Sequence, residues 1–105
     1  MVKLIVLYNT PEDPVAFERH YRDVHIPLVK QMPDLRRFTF GRHVTALHGG
    51  EPYYWRIAEL EWDSMDALQK ALQSPQGQET AQDAASLVCS TGTSFQSMAY
   101  EMEEV

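Results

Sequence analysis

The chain predicts a ferredoxin-like α+β fold with elements in the order β-α-β-β-α-β. Three observations carry that reading. An apolar, β-branched run opens the chain, two aromatic-rich stretches flank Gly49-Gly50, and two further segments repeat their apolar residues at helical spacing. The order implies a four-stranded antiparallel sheet with two helices on one face. A single domain spanning 1–105 suffices, because 105 residues is an ordinary length for one domain.

Val2 to Tyr8 reads as the first strand, ended by Asn9-Thr10-Pro11. Val2, Leu4, Val6 and Tyr8 form one face, and Ile5 and Leu7 join Lys3 on the other. Helices cover only one side, so the open, apolar sheet face is expected to pair with a second copy in a homodimer. Asp13 and Pro14 start a helix whose apolar stripe is Phe17, Tyr21, Val24, Leu28 and Met32. Pro27 has no N–H for the carbonyl of Asp23 and its ring crowds that oxygen. A kink or brief break is therefore expected near Asp23-Val24-His25.

Leu35 to Leu47 and Tyr53 to Trp62 read as an antiparallel hairpin turning at His48-Gly49-Gly50-Glu51-Pro52. Asp63-Ser64 opens a second helix with Met65, Leu68 and Leu72 on one stripe. Ser74-Pro75 breaks and restarts it, and Ala81, Ala84, Ala85 and Val88 give the second piece a small-residue face. Phe95 to Met102 completes the sheet.

Nine basic against fifteen acidic residues leave a net charge of −6. Nucleic-acid backbones and anionic membrane surfaces both need a positive field, so neither is an expected partner. One cysteine, Cys89, excludes an intrachain disulfide and reads as a small buried hydrophobe. The opening apolar run is too short to cross a bilayer or to form a signal-peptide core, and a cytoplasmic protein is expected.

His25 lies four residues after Tyr21 and three before Leu28, on the apolar stripe rather than the wet face. Imidazole exchanges protons near neutral pH, and a break beside Pro27 frees backbone groups. Two readings stand: a proton-active group in a pocket, or a buried histidine bonded to a freed carbonyl. His20 flanks the same stripe, yet lies about 140° from His25 on a regular helix, so the two converge only if the kink re-aims them. No metal-binding spacing is present among the four histidines, and no metal site is expected. Tyr8, at the end of the first strand, can donate a phenolic hydrogen bond to a ligand oxygen. Tyr54 and Trp62 belong to an aromatic strand that suits a flat apolar pocket and a plain core equally well.

The opening strand, Asp13-Pro14, Phe17, His20-Tyr21 and His25-x-Pro27-Leu28 resemble the EthD-like family. So do Gly41-Arg42, Tyr54-Trp55 and Glu61-Trp62-Asp63-Ser64-Met65. The resemblance runs from Met1 to about Val88. It implies a dimeric α+β barrel, two ferredoxin-like sheets packed face to face. Relatives on that fold include cofactor-free monooxygenases, lactone isomerases, polyketide cyclases and dehydratases, acting on small, often aromatic substrates between sheet and helices. The family's histidine maps to His25, with Tyr8, Phe17 and Tyr21 flanking it.

Two functions fit. One is acid–base catalysis on a small hydrophobic or aromatic oxo-compound without metal or organic cofactor. There His25 moves the proton, Tyr8 or His20 holds the oxygen, and Phe17, Tyr21, Leu28, Tyr54 and Trp62 contact the substrate. The other is a non-catalytic binder or accessory protein for an oxidising system, with a role in ether or xenobiotic degradation.

Overall fold

The structure is a computed structural model that describes residues 1–105. Its sheet contains β1 (Val2–Tyr8), β2 (Arg37–Gly41), β3 (Arg56–Trp62) and β4 (Phe95–Glu101) in the spatial order β2-β3-β1-β4. Every neighbouring pair is antiparallel. Four helices, α1 (Pro14–His20), α2 (Ile26–Lys30), α3 (Met65–Gln73) and α4 (Pro75–Thr91), complete the ferredoxin-like fold. No helix is long and apolar enough to cross a membrane.

The register puts Val2, Leu4, Val6 and Tyr8 on the same side as Trp62, Leu60, Ala58 and Arg56. Phe38 and Phe40 join them from β2, opposite Leu60 and Ala58. This face packs under the helices. Val2, Leu60, Trp62, Val29, Met32 and Leu68 share one core cluster, and Tyr8, Phe17, Tyr21 and Leu87 share a second. Trp62 is wholly buried in the first, its indole N–H donating to the carbonyl of Pro33 at 2.9 Å. The opposite face divides in two. Ile5, Leu7, Ile57 and Met98 make an apolar half. Lys3, Glu59, Glu61 and Arg37 make a charged half, crossed by the Lys3–Glu59 pair at 3.0 Å. That face is thus less uniformly apolar than β1 alone suggests.

α1 and α2 are one continuous helix interrupted by a wide π-helical turn, Tyr21–His25. There the N–H of Ile26 reaches back five residues to the carbonyl of Tyr21. Pro27 is the cause, since it lacks the N–H that a regular helix would aim at Asp23. The extra residue shifts the buried stripe by one position. Phe17 and Tyr21 are buried as the spacing predicts, but His25, Val29 and Met32 follow them. Val24 is 41% exposed and Leu28 only half-buried.

Helix ends follow their caps. Asp13 accepts from the N–H of Ala16, Ser64 from that of Ala67 and Ser74 from that of Gly77, at 3.0–3.1 Å. Gly92, at φ +70°, closes α4 in the left-handed region. On α4 the buried stripe is Gly77, Thr80, Ala84, Leu87 and Thr91. Ala81 and Ala85 are exposed, and so is Cys89, two residues beyond Leu87 and off that stripe.

The central hairpin is shorter than its aromatic content predicts. β2 stops at Gly41 and β3 starts at Arg56, leaving a loop over 42–55 in which Tyr53 is 90% exposed. His43 takes a left-handed φ of +56°, which an extended strand cannot hold, so pairing ends at Gly41. Gly49 and Gly50 do take positive φ, +88° and +81°, inside that loop.

Gly77 marks the tightest helix contact. A Cβ there would sit 2.0 Å from the carbonyl oxygen of Ala71. Gly77→Ala is expected to destabilise the protein by roughly 1–3 kcal/mol, despite alanine's better helix propensity. Urea unfolding measures this, and an unchanged midpoint would contradict the packing described.

Candidate functional site

Between the sheet and the helices lies a cavity of about 150 Å³. Leu4, Val6, Ala58 and Leu60 form its sheet side, with Val29 and Met32 from α2 and Thr80 and Ala84 from α4. Thirteen of its seventeen lining residues are hydrophobic. A dry apolar cavity of about that volume holds one benzene ring. Leu72, Ala81, Phe95 and Ser97 also line it and are exposed.

Tyr8, Tyr21 and His25 are the sequence candidates that line this space. Tyr8 and Tyr21 are 2% and 1% exposed and meet edge-to-face at 5.9 Å. Neither hydroxyl has a protein partner; Tyr54 is the tyrosine whose hydroxyl does, donating to Gln96 Oε1 at 3.3 Å. Burial pushes both phenols well above the usual tyrosine range, and the positive charge of Arg56 pulls partly against it. Both are therefore neutral O–H donors near neutral pH.

His25 is 5% exposed and its ring tilts against Tyr21 at 5.4 Å. Its Nδ1 lies 2.8 Å from Asp83 Oδ2. A carboxylate only accepts, so Nδ1 carries the proton and Nε2 keeps the lone pair. Arg56 Nε and Nη1 are sealed polar atoms without a hydrogen-bond partner. His25 Nε2 makes no hydrogen bond within the protein, and the His25 ring lines the cavity. Burial lowers the histidine below its ordinary value, partly offset by the bond and charge of Asp83. The result is a neutral base at the wall of an apolar space, with a carboxylate behind it to receive an imidazolium.

The other candidates stand elsewhere. His20 does not line the cavity; its Nε2 bonds Asp83 Oδ1 at 2.8 Å from outside. Phe17 is fully buried behind Tyr21, stacked on it at 5.5 Å. Leu28 is turned off the buried stripe by the π-helical turn. Tyr54 lies in the 42–55 loop, and Trp62 belongs to the core. His20 and His25 do converge, but on a carboxylate. No group of three potential metal ligands exists in the chain.

Asp83 and Arg56 border the site without having stood out in the sequence. Asp83 lies three residues after Thr80 and four before Leu87, an acid on the buried edge of α4, and that spacing was the available signal. Arg56 heads the inward face of β3 and is 3% exposed. Its guanidinium lies 4.6 Å from the Phe40 ring, 4.7 Å from Tyr21 and 5.0 Å from Trp55. Glu18 pairs with it through Nη2, and also accepts from Arg22 Nε at 3.1 Å. This cation forms the wall behind the two phenols.

Two measurements probe these environments. His25 is depressed in the folded state and near 6.5 when unfolded. Its contribution to stability is complete above pH 6.5 and falls as pH drops through 6.5 toward the folded value. Denaturation between pH 5 and 8 should show that slope, and His25→Gln should remove it. Glu18→Gln leaves the buried Arg56 without its counter-charge. A loss of roughly 3 kcal/mol is expected, the low end of the range because Glu18 keeps a third of its side chain in water. Urea unfolding at pH 7 reads it, and a loss under 1 kcal/mol would count against a caged cation.

Known proteins share this architecture. The family model for the EthD domain matches residues 9–89, which include His20, His25, Arg56 and Asp83. An uncharacterized 11.0 kDa protein from the thcB–thcC intergenic region of Rhodococcus erythropolis is 39% identical over 85 residues. The match covers 81% of this chain and 82% of that protein. The crystal structure of an EthD family protein from Bacillus halodurans superposes with a TM-score of 0.87 at 33% identity, covering 98% of this chain and 99% of that one. SnoaB, a cofactor-independent oxygenase of Streptomyces nogalater, shares the fold at 16% identity and a TM-score of 0.68, covering 99% and 94%. With its family model, its relatives and its sheet topology in agreement, this chain belongs to the EthD family.

Proposed function

We propose that this EthD family protein binds a small, uncharged oxo-compound of about one ring in the cavity and moves a proton on it by acid–base catalysis. The carrying observation is His25 Nε2, unpartnered in an apolar space with Asp83 on its other nitrogen. Nε2 takes a proton from an acidic C–H or O–H of the ligand. The electron pair moves onto the ligand oxygen, held by the Tyr8 or Tyr21 hydroxyl. Nε2 then returns the proton to another atom of the same ligand. That sequence balances without an oxidant and suits isomerisation, dehydration or cyclisation. His20, outside the cavity, is not the oxygen-holding group, so that role falls to the phenols.

The apolar walls favour an uncharged ligand, and Asp83 behind the base opposes an anionic one. We also propose a homodimer joined through the outer sheet face, burying Ile5, Leu7, Ile57 and Met98.

The probe for the proton step is 2-cyclohexen-1-one in buffered D2O, followed by NMR. Wild-type protein should accelerate exchange of its acidic C–H hydrogens, and His25→Gln should lose about 10²–10⁴-fold of that acceleration. Saturable binding with exchange no faster than buffer would support a non-catalytic binder for an oxidising system instead. Full activity in His25→Gln would remove the assignment.

A further inference from the structure

We propose that His20 is a positioning residue that acts on His25 through the carboxylate the two rings share. Asp83 has two oxygens and each holds one imidazole, Oδ1 on His20 Nε2 and Oδ2 on His25 Nδ1, both at 2.8 Å. Each ring presents an N–H to an acceptor-only carboxylate. The outer clamp fixes the carboxylate so that its second oxygen stays on His25, committing the inner lone pair to the cavity.

The two rings differ in their access to water. The His20 side chain is 27% exposed and that of His25 is 6% exposed. The outer ring therefore meets solvent while the inner ring is walled in. The charge of Asp83 favours a cation at His25, and positive charge on the outer ring acts against it. The outer ring thus tunes the base inside the cavity.

The groups facing this cluster are few. α4 contributes Asp83, the interrupted first helix contributes His20, His25 and Tyr21, and β1 contributes Tyr8. Arg22 and Arg56 are engaged by Glu18, and the Thr80 hydroxyl donates to the carbonyl of Gln76 at 2.8 Å. Asp83 and His20 are the charged neighbours that act on His25.

The consequence for turnover rests on His25 being the cavity's base, but the test needs no ligand. Long-range proton–nitrogen NMR of the histidine rings is recorded from pH 5 to 8.5 on the ¹⁵N-labelled full chain. The proteins are wild type, His20→Phe and His20→Gln. Wild type should show His25 as a single Nδ1–H tautomer, with its midpoint held below the ordinary imidazole value. His20→Phe removes clamp and charge, so the tautomers should mix and the His25 midpoint should rise by roughly half a pH unit or more. His20→Gln keeps an uncharged N–H donor, so it should restore the single tautomer while the midpoint stays raised. A His25 midpoint identical in wild type and His20→Gln overturns the proposal. So does a wild-type His25 protonated on Nε2 alone. Absence of cyclohexenone exchange with the His20-dependent His25 midpoint intact would instead overturn the proposed chemistry and leave this coupling standing.

Discussion

A missing N–H at Pro27 organises the site. Without a donor for Asp23, the helix cannot keep its regular ladder, and it widens by one residue over Tyr21–His25. That single inserted position turns His25 and Val29 inward where Val24 and Leu28 would otherwise point. It also brings His20 and His25, five residues apart, onto one side of the helix, where α4 presents Asp83 to both. A π-helical turn costs backbone regularity, and here packing of five buried side chains from Phe17 to Met32 holds it in place.

Burial and charge are balanced around the cavity by neighbours one layer out. The phenols of Tyr8 and Tyr21 meet no charge within the cavity lining, but Arg56 stands behind them in its aromatic cage. The imidazole of His25 is likewise neutral on its open side, with the carboxylate of Asp83 on its closed side. The ligand space stays apolar, while opposite charges wait behind its two polar walls. Such an arrangement opposes ion formation until a proton moves, and then stabilises the ions that result.

Much of this was legible in the residues. Alternation in Val2–Tyr8, the Ser74-Pro75 restart and the caps at Asp13 and Ser64 are local signals, and the structure follows them. The inward histidine was legible too, because a break beside Pro27 is a local steric fact. Its helical phase was not: spacing rules assume 3.6 residues per turn, and a π-helical turn breaks that assumption at one position. The pairings of Asp83 and Arg56 were not legible for a different reason. Each acquires its role from partners 58 and 38 positions away, His25 and Glu18, and no short pattern records such a meeting. The aromatic richness of Tyr53–Trp55 misled in the opposite direction, since those rings cap a loop and cage a guanidinium rather than extend β3.

β4 carries one more consequence. All seven of its residues are exposed, it is the sheet's margin, and β1 alone binds it. Its free rim of amides and carbonyls is a template on which a foreign strand can add, the starting point of ordered aggregation. Glu101 is the last residue of that strand, and Glu103 and Glu104 follow it. Parallel, in-register stacking of copies along β4 would bring these carboxylates side by side, and their mutual repulsion works against fibril growth of that kind.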